Sequence, residues 1–230
     1  MKAFLALVLT SASLLLGGCA GTPQKPVDFD RGTVVSPSAR IGVIMTGLPK
    51  VDTHFPGAGC LLCAAAAAVA NNSLTNHTQT LSDDDLATLK NEVAERLRSK
   101  GGNITVINEN LDLDHLGSSS GNGPNIAKKD FSPLKDKYKV DKLLVINITS
   151  VGIVRPYSAY IPTSDPKAEI EGTGYVVNLS TNTYEWYMPV SVSKSADGKW
   201  DESPDYPGLT NAYFQALESG KDQFLQPFAN

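Results

Sequence analysis

Two cysteines three residues apart, Cys60 and Cys63, are the residues whose type and spacing could carry chemistry. They open an alanine-rich run, and Gly57 and Gly59 precede them. A helix N-terminus lowers the pKa of a thiol, which thiol–disulfide oxidoreductases use to activate a Cys-x-x-Cys pair. Here the preceding strand is expected to end near Thr46, and both intervening residues are leucines, unlike in such enzymes. Three interpretations stay open: a structural disulfide, a redox centre, or two buried free thiols.

The third cysteine ends a segment that has the pattern of an export signal. A positive start is followed by an apolar run over residues 3–16, which is shorter than the roughly 20 residues that span a bilayer. The run ends in Leu16-Gly17-Gly18-Cys19, which resembles the lipobox of bacterial lipoproteins. The resemblance implies that residues 1–18 are a signal peptide and that Cys19 carries fatty-acyl chains such as palmitate. The alternative is an ordinary secretory leader that contains a cysteine.

The lipobox resemblance also implies a compartment. In lipoproteins an Asp after the acylated cysteine often retains the protein in the inner membrane, and here Ala20 stands in that place. We therefore expect a lipid anchor in the outer membrane, with the protein facing the periplasm. The periplasm is oxidising, so a disulfide between Cys60 and Cys63 is the expected state.

Composition and spacing exclude several classes of site. The net charge is −4, and nucleic-acid binding requires a basic patch, so no nucleic-acid partner is expected. The three histidines, His54, His77 and His115, form no HxxxH or HExxH pattern, and a zinc site needs three or four converging ligands. No nucleophile-elbow, Walker or dinucleotide-binding pattern is present in the right context. We expect no metal, no cofactor and no catalytic residue.

The elements that position these residues follow from periodicity. Residues 19–39 are rich in Pro, Gly, Thr and Ser and predict a flexible tether, so one domain is expected over residues 40–230. Apolar residues at helical spacing predict a helix from Ser82 to Gly101, and an alanine-rich helix is expected from Cys60 to about Thr78. The remaining expected elements are strands 40–46, 103–108 and 142–154, a hairpin of 168–180 with 184–194, and helices 128–139 and 209–224.

This order of elements predicts a single α+β domain. The sheet should be mixed and mostly antiparallel, with the helices packed mainly on one face. The hairpin through Gly174–Leu179 and Tyr184–Trp186, followed by the helix around Asn211–Leu225, resembles the small periplasmic domains of the TolB N-terminal, CsgG and LpoB-type families. That resemblance concerns the fold, which does not carry function with it.

Two features could contact other proteins. The run Ala64–Ala70 is apolar on all sides, which favours either a central helix under the sheet or a surface for self-association or a partner. Four aromatic residues, Tyr157, Tyr160, Trp200 and Tyr206, lie in two polar loops. Tyr and Trp are enriched in binding hot spots, so these residues are candidate partner contacts, the alternative being that they cap the core.

The sequence therefore predicts a lipid-anchored envelope protein with a non-enzymatic binding, assembly or regulatory role. Its expected partners are the membrane, reached through the lipid, and envelope proteins or further copies of itself. The alternative function is a periplasmic thiol–disulfide protein that uses Cys60 and Cys63.

Overall fold

The computed structural model describes residues 23–36 and 38–229, so the lipobox and the signal peptide lie outside the described residues. Within these ranges the chain forms six helices, eight strands and one 3₁₀ turn. In chain order they are α1 (Arg31–Val34), β1 (Arg40–Thr46), β2 (Asp52–His54), α2 (Leu61–Ala70), α3 (Asn72–Thr78), α4 (Asp84–Ser99), β3 (Asn103–Leu111), α5 (Pro133–Tyr138), β4 (Lys142–Val154), β5 (Tyr157–Ser158), β6 (Ile161–Pro162), β7 (Lys167–Asn178), β8 (Thr183–Ser195), α6 (Pro207–Leu225) and the 3₁₀ turn (Gln226–Phe228).

A mixed sheet runs through the centre of the fold. Its strand order is β3-β1-β4-β7-β8, and β2 pairs with the far end of β4. β1 is parallel to β3 and to β4, whereas the long strands β4, β7 and β8 form an antiparallel meander. β5 and β6 make a separate small hairpin. The prediction of an α+β domain with a mixed, mostly antiparallel sheet is confirmed.

The central strand β4 shows why both faces of the sheet are covered. Successive side chains of a strand point to opposite faces. Leu144 and Ile146 accordingly join the larger hydrophobic cluster, and Leu143 and Val145 join the smaller one. Helices α4 and α6 cover the larger cluster, whereas the long connection between β3 and β4, which contains α5, covers the smaller one. The main helices thus pack on one face, as expected.

Helix α4 is the element that the sequence predicts most directly. Leu86, Leu89, Val93 and Leu97 recur every three or four residues, and all four are fully buried. The helix ends before Gly101, whose φ of 86° lies in the left-handed region that favours glycine. The local pattern was sufficient here because one stripe decides which face of a helix is buried.

Part of the predicted tether packs on the domain. Val27 pairs with the outer edge of β8, where its N–H donates to the carbonyl of Tyr187 at 2.9 Å and its carbonyl accepts from Tyr187 at 3.0 Å. The Phe29 ring lies edge-on to Trp186, with 6.1 Å between ring centroids, and Val34 is fully buried. Residues 27–35 therefore extend the domain toward the N-terminus, because their apolar side chains fill gaps at the edge of the sheet.

An ion pair with little solvent access holds the same segment. The Lys142 ammonium and the Glu185 carboxylate are 2.6 Å apart, and their side chains are only 10% and 12% exposed. Lys142 also donates to the carbonyl of Thr33 in α1, and Asn178 donates to Glu185 at 2.8 Å. The first residue of β4 thus links the N-terminal segment to the antiparallel end of the sheet.

None of the helices in the described part of the chain has the length and apolar character required to cross a membrane.

Candidate functional site

The Cys60–Cys63 disulfide lies at the start of α2. Cys60 and Cys63 are joined by a disulfide, as expected from the sequence. Cys60 is the N-cap residue of the helix, and its Sγ accepts a hydrogen bond from the N–H of Cys63 at 2.9 Å. The two cysteines differ in access to solvent, since Cys60 is exposed whereas Cys63 is only 3% exposed.

The chain before the disulfide is held against the β5–β6 hairpin. Tyr157 donates from its N–H to the carbonyl of Pro56 at 2.7 Å, and Ala159 donates to the carbonyl of Gly57 at 3.1 Å. Gly57 has a φ of 88°, and a Cβ at that position would lie 1.8 Å from the carbonyl oxygen of Tyr157. Only glycine permits this close approach, which places the hairpin beside the start of α2.

A buried amide fixes the joint between α2 and α3. Asn71 is 3% exposed, and its side-chain N–H groups donate to the carbonyl of Ala67 and to the hydroxyl of Tyr157, both at 2.7 Å. Its Oδ1 accepts from Arg155 at 2.8 Å, and the Arg155 guanidinium lies over the Trp200 ring at 4.5 Å from the centroid. This network fastens α2 to the end of β4. The joint also divides the expected 60–78 helix in two.

The alanine-rich helix is not under the sheet, so the interpretation as a central buried helix is wrong. Within α2 only Cys63 and Ala67 are buried, against a small cluster beside the main core. Helices α4 and α6 already cover the available face of the sheet, which leaves α2 at the end of β4 with one narrow stripe in contact. Helix α2 is apolar on every side and is nevertheless exposed, because the burial of a helix depends on which other elements already cover the core.

The outward side of α2 and the hairpin beside its first residue both expose apolar side chains. Leu61, Leu62 and Val69 are 88%, 70% and 79% exposed, on the side of the helix opposite its buried stripe. Tyr160 and Ile161 of the hairpin are 55% and 69% exposed, and the Tyr160 hydroxyl lies 3.6 Å from Cys60 Sγ. We call these five residues the α2 surface.

The α2 surface also lacks charge. The sequence contains no Asp, Glu, Lys or Arg between Asp52 and Asp83, or between Arg155 and Asp165. Among the described residues, the one other large hydrophobic side chain that is exposed is Phe214 of α6, at 45%. Exposed apolar patches of this kind mark sites of contact with proteins or membranes.

The four aromatic residues predicted to contact partners have different positions. Tyr160 is exposed and belongs to the α2 surface. Tyr157 is 7% exposed and packs in the cluster beneath α2, and Tyr206 is 6% exposed in the main core at the start of α6. Trp200 is half-buried beneath Arg155. The loop that holds Trp200 and Tyr206 therefore caps the domain, and the structure brings only the Tyr157–Tyr160 loop together with the disulfide.

The side chains of two of the three histidines form hydrogen bonds. His77 Nε2 is 2.7 Å from the hydroxyl of Thr210, and His115 Nδ1 is 2.7 Å from the carboxylate of Asp112. The pKa of Asp112 is lowered, first by the hydrogen bond from His115 and then by the backbone N–H of Asp114. Among the described residues, no group of three or more His, Cys, Asp or Glu is placed to hold a metal ion.

A second candidate site lies where β1 and β3 end. An open cleft of about 550 Å³ is lined by polar and apolar residues of these strand ends, namely Thr46, Gly47, Asn110, Leu111, Asp112, Leu113, Asp114 and Asn147. The Thr46 hydroxyl donates to Asn147 Oδ1 at 3.0 Å. The carboxyl ends of parallel strands are a common place for ligands, and sequence reasoning missed this cleft because it depends on which strands pair. The cleft offers hydrogen-bonding groups for a polar ligand but no Cys, Ser or Lys nucleophile.

No protein-family model matches the chain, and no curated protein is similar to it in sequence. Several solved structures align with most of the chain at low identity. The PelC dodecamer from Paraburkholderia phytofirmans is 9% identical over 89% of this chain and 94% of that chain, with a TM-score of 0.33. Protein XCC0632 from Xanthomonas campestris, of the family model DUF330, is 13% identical over 88% and 90%, with a TM-score of 0.38. Lipoprotein GNA1162 from Neisseria meningitidis is 14% identical over 79% and 99%, with a TM-score of 0.29. These likenesses identify neither a family nor a function.

Proposed function

We propose that this protein is a lipid-anchored envelope component with a binding and assembly role, and that it associates with further copies of itself through the α2 surface. The single observation that carries the proposal is the uncharged apolar α2 surface. In the proposed arrangement Cys19 carries the lipid, the anchor lies in the outer membrane, and the domain faces the periplasm.

Exposure of the α2 surface to water is unfavourable in free energy. Complete burial of a Leu, Val or Ile side chain contributes about 1.5–3 kcal/mol. The outward side chains Leu61, Leu62 and Val69 are more than two-thirds exposed, so most of this free energy is unused in the single chain. Helix α2 itself is firmly held through Asn71, so the surface is rigid and ready to bind.

A second copy is the occupant that this surface fits best. The α2 surface has no charge to pair with, so its complement must also be apolar and uncharged, and the same surface on another copy meets that requirement. The alanines between Leu62 and Val69 allow two helices to approach closely. In an antiparallel pair related by a two-fold axis, Leu61 of one copy would lie opposite Val69 of the other.

The membrane would make this contact effective. A ten-residue helix is about 15 Å long, so the interface is smaller than the roughly 800 Å² per partner of a stable standard complex. Tethering raises effective concentration and so strengthens a weak contact. Val27 is fixed to β8, so a lipid on Cys19 would hold the domain within about 28 Å of the membrane, the reach of eight extended residues.

Photo-cross-linking in cells tests the proposal. The photoreactive residue p-benzoylphenylalanine replaces either Ala65, at the centre of the outward side of α2, or Phe214, the exposed hydrophobic residue on α6. We expect a covalent dimer of this chain, identified by mass, from position 65 and not from position 214. Leu62→Glu should reduce the dimer about tenfold or more, because it removes one buried leucine from each side. Phe214→Glu is the matched control and should leave the yield unchanged.

The molecule cross-linked to position 65 shows what binds the α2 surface. Cross-linking from position 65 to lipid, or to a different envelope protein alone, would contradict self-association. Equal dimer yields from positions 65 and 214 would show random encounter. Cys19→Ala should lower the dimer yield because the copies are no longer confined to one membrane, and an unchanged yield would contradict the role of the anchor. Leu62→Glu does not weaken α2 itself, since an acidic residue in the first turn of a helix is favourable.

A further inference from the structure

The Cys60–Cys63 disulfide joins no two elements of the fold. It lies within the first turn of α2, with a sequence separation of 3. A disulfide stabilises a protein chiefly by closing loops of the unfolded chain, and the effect grows with loop length, so this one stabilises the fold little. The hydrogen bonds that fasten the end of α2 to the domain are made by Asn71, whereas Cys63 contributes its packing against the small cluster beneath the helix. Stabilisation of the fold is therefore a poor explanation for this disulfide.

The two sulfur atoms differ in the way that an exchange reaction requires. Cys60 is exposed, whereas Cys63 is 3% exposed, so a thiolate from solvent can attack only the Cys60 sulfur. The N–H of Cys63 donates to Cys60 Sγ at 2.9 Å, and after reduction it would stabilise a thiolate on Cys60. The nearest carboxylates in sequence are Asp52 and Asp83, so no acidic neighbour along the chain opposes that negative charge.

The surroundings of Cys60 are suited to a polypeptide. Tyr160 places its hydroxyl 3.6 Å from Cys60 Sγ, and Leu61, Leu62 and Ile161 are exposed beside it. An extended polypeptide with apolar residues around its cysteines could lie across these side chains. A small thiol such as glutathione would gain nothing from them, so they would favour protein substrates.

We propose that Cys60 and Cys63 form a thiol–disulfide exchange site that oxidises dithiols in other envelope polypeptides. A substrate thiolate attacks Cys60 Sγ, a mixed disulfide forms, and Cys63 leaves as the thiolate. The second substrate thiol gives its proton to the Cys63 thiolate and attacks the other substrate sulfur, which is bonded to Cys60 in the mixed disulfide. A disulfide forms within the substrate, and Cys60 leaves as a thiolate that takes up the proton released to solvent by the first substrate thiol. Two electrons and two protons pass from the substrate dithiol to the cysteine pair. A disulfide-bearing oxidant then restores the pair. This activity goes beyond the assembly role and belongs to the unpaired chain, because a second copy on the α2 surface would cover the side chains beside Cys60.

The test uses the full chain, purified in detergent with its disulfide formed, and reduced unfolded ribonuclease A as the substrate, under anaerobic conditions. We expect one disulfide to form in ribonuclease A for each Cys60–Cys63 pair that is reduced. Ile161→Ser should slow this reaction more than it slows the reaction with reduced glutathione, because it removes an apolar contact of the polypeptide and adds no charge beside Cys60. An oxidised pair that persists in the presence of excess reduced ribonuclease A would overturn the proposal, and this result needs no variant.

Single-cysteine variants test the assignment of roles. With oxidised glutathione, Cys63→Ser, which keeps the exposed sulfur, should form a mixed disulfide about tenfold faster or more than Cys60→Ser, since reactivity follows thiolate character and access. Similar rates in two folded variants would contradict the asymmetry. The double variant Cys60→Ser/Cys63→Ser should still give the position-65 dimer, so loss of exchange and loss of assembly are observed separately.

Discussion

Removing the ammonium of Lys142 should loosen the N-terminal segment and destabilise the whole domain. Lys142 pairs with Glu185 at 2.6 Å and donates to the carbonyl of Thr33, so Lys142→Met leaves a carboxylate without its counter-ion and a carbonyl without its donor. The affected segment connects the proposed lipid anchor to the sheet. The substitution therefore tests both stability and the distance at which the domain is held from the membrane.

The burial of the pair sets the size of the effect. The side chains are 10% and 12% exposed, and removing one partner of a buried ion pair costs about 3–5 kcal/mol. The residual exposure puts Lys142→Met near the lower end, at about 3 kcal/mol. The double variant Lys142→Met/Glu185→Gln removes both charges and should recover roughly 2 kcal/mol of that loss. In contrast, Lys137 and Glu109 are 53% and 49% exposed at 2.8 Å, so Lys137→Met should cost less than about 1 kcal/mol.

Two measurements check this reasoning. Urea unfolding gives the free energy of unfolding of the wild type, of the single variants Lys142→Met and Glu185→Gln, of the double variant and of the Lys137→Met control. Trypsin cleavage after Arg31 reports release of the segment, since the preceding Lys25 is followed by proline and is resistant. We expect cleavage at Arg31 to become about tenfold faster or more in Lys142→Met, because local opening requires less free energy.

A Lys142→Met variant that is almost as stable as the wild type would contradict the proposed role of the ion pair. If Lys142→Met costs no more than Lys137→Met and cleavage at Arg31 is unchanged, the buried pair does not hold the segment. If the double variant is no more stable than the single variants, the loss comes from packing of the lysine stem rather than from the unpaired carboxylate.

Two further predictions concern α2 and the pH dependence of stability. Asn71→Ala removes the hydrogen bonds to Tyr157 and Arg155 and should cost about 2–3 kcal/mol, with faster hydrogen exchange in α2 as its specific sign. Asp141 has its pKa lowered from 3.8 to about 2, chiefly by the hydrogen bond from the Arg40 side chain. A carboxyl with a lowered folded-state pKa stabilises the fold above its ordinary pKa and loses that contribution as pH falls through the lowered one. Urea unfolding should show Asp141→Asn less stable than wild type by about 1 kcal/mol at neutral pH, with the difference vanishing toward pH 2.

Local patterns in the sequence were sufficient for the elements that have one buried side. The stripe of Leu86, Leu89, Val93 and Leu97 predicted α4, because helical spacing alone defines a face. The long strand β4 and the β7–β8 hairpin followed from β-branched runs and the turn at Asn182, which has a φ of 55°. The cysteine pair was also visible, because a disulfide between residues three apart needs little knowledge of the rest of the fold.

The sequence could not show which apolar residues the domain leaves uncovered. Tyr157 and Tyr160 lie in the same loop, yet one is buried through Asn71 and the other is exposed beside Cys60. Residues 27–35 have the composition of a linker, but contacts with β8 and with Lys142 bring them into the domain.

The main helices and strands, the fold class and the position of the disulfide could be predicted from the sequence, because these depend on neighbours along the chain. The packing of distant elements was needed to show that α2 lies outside the core, that a cleft forms where β1 and β3 end, and that Cys60 is exposed while Cys63 is buried. Whether a residue is buried depends on which elements pack over it, and such elements come from parts of the chain that are far apart in sequence.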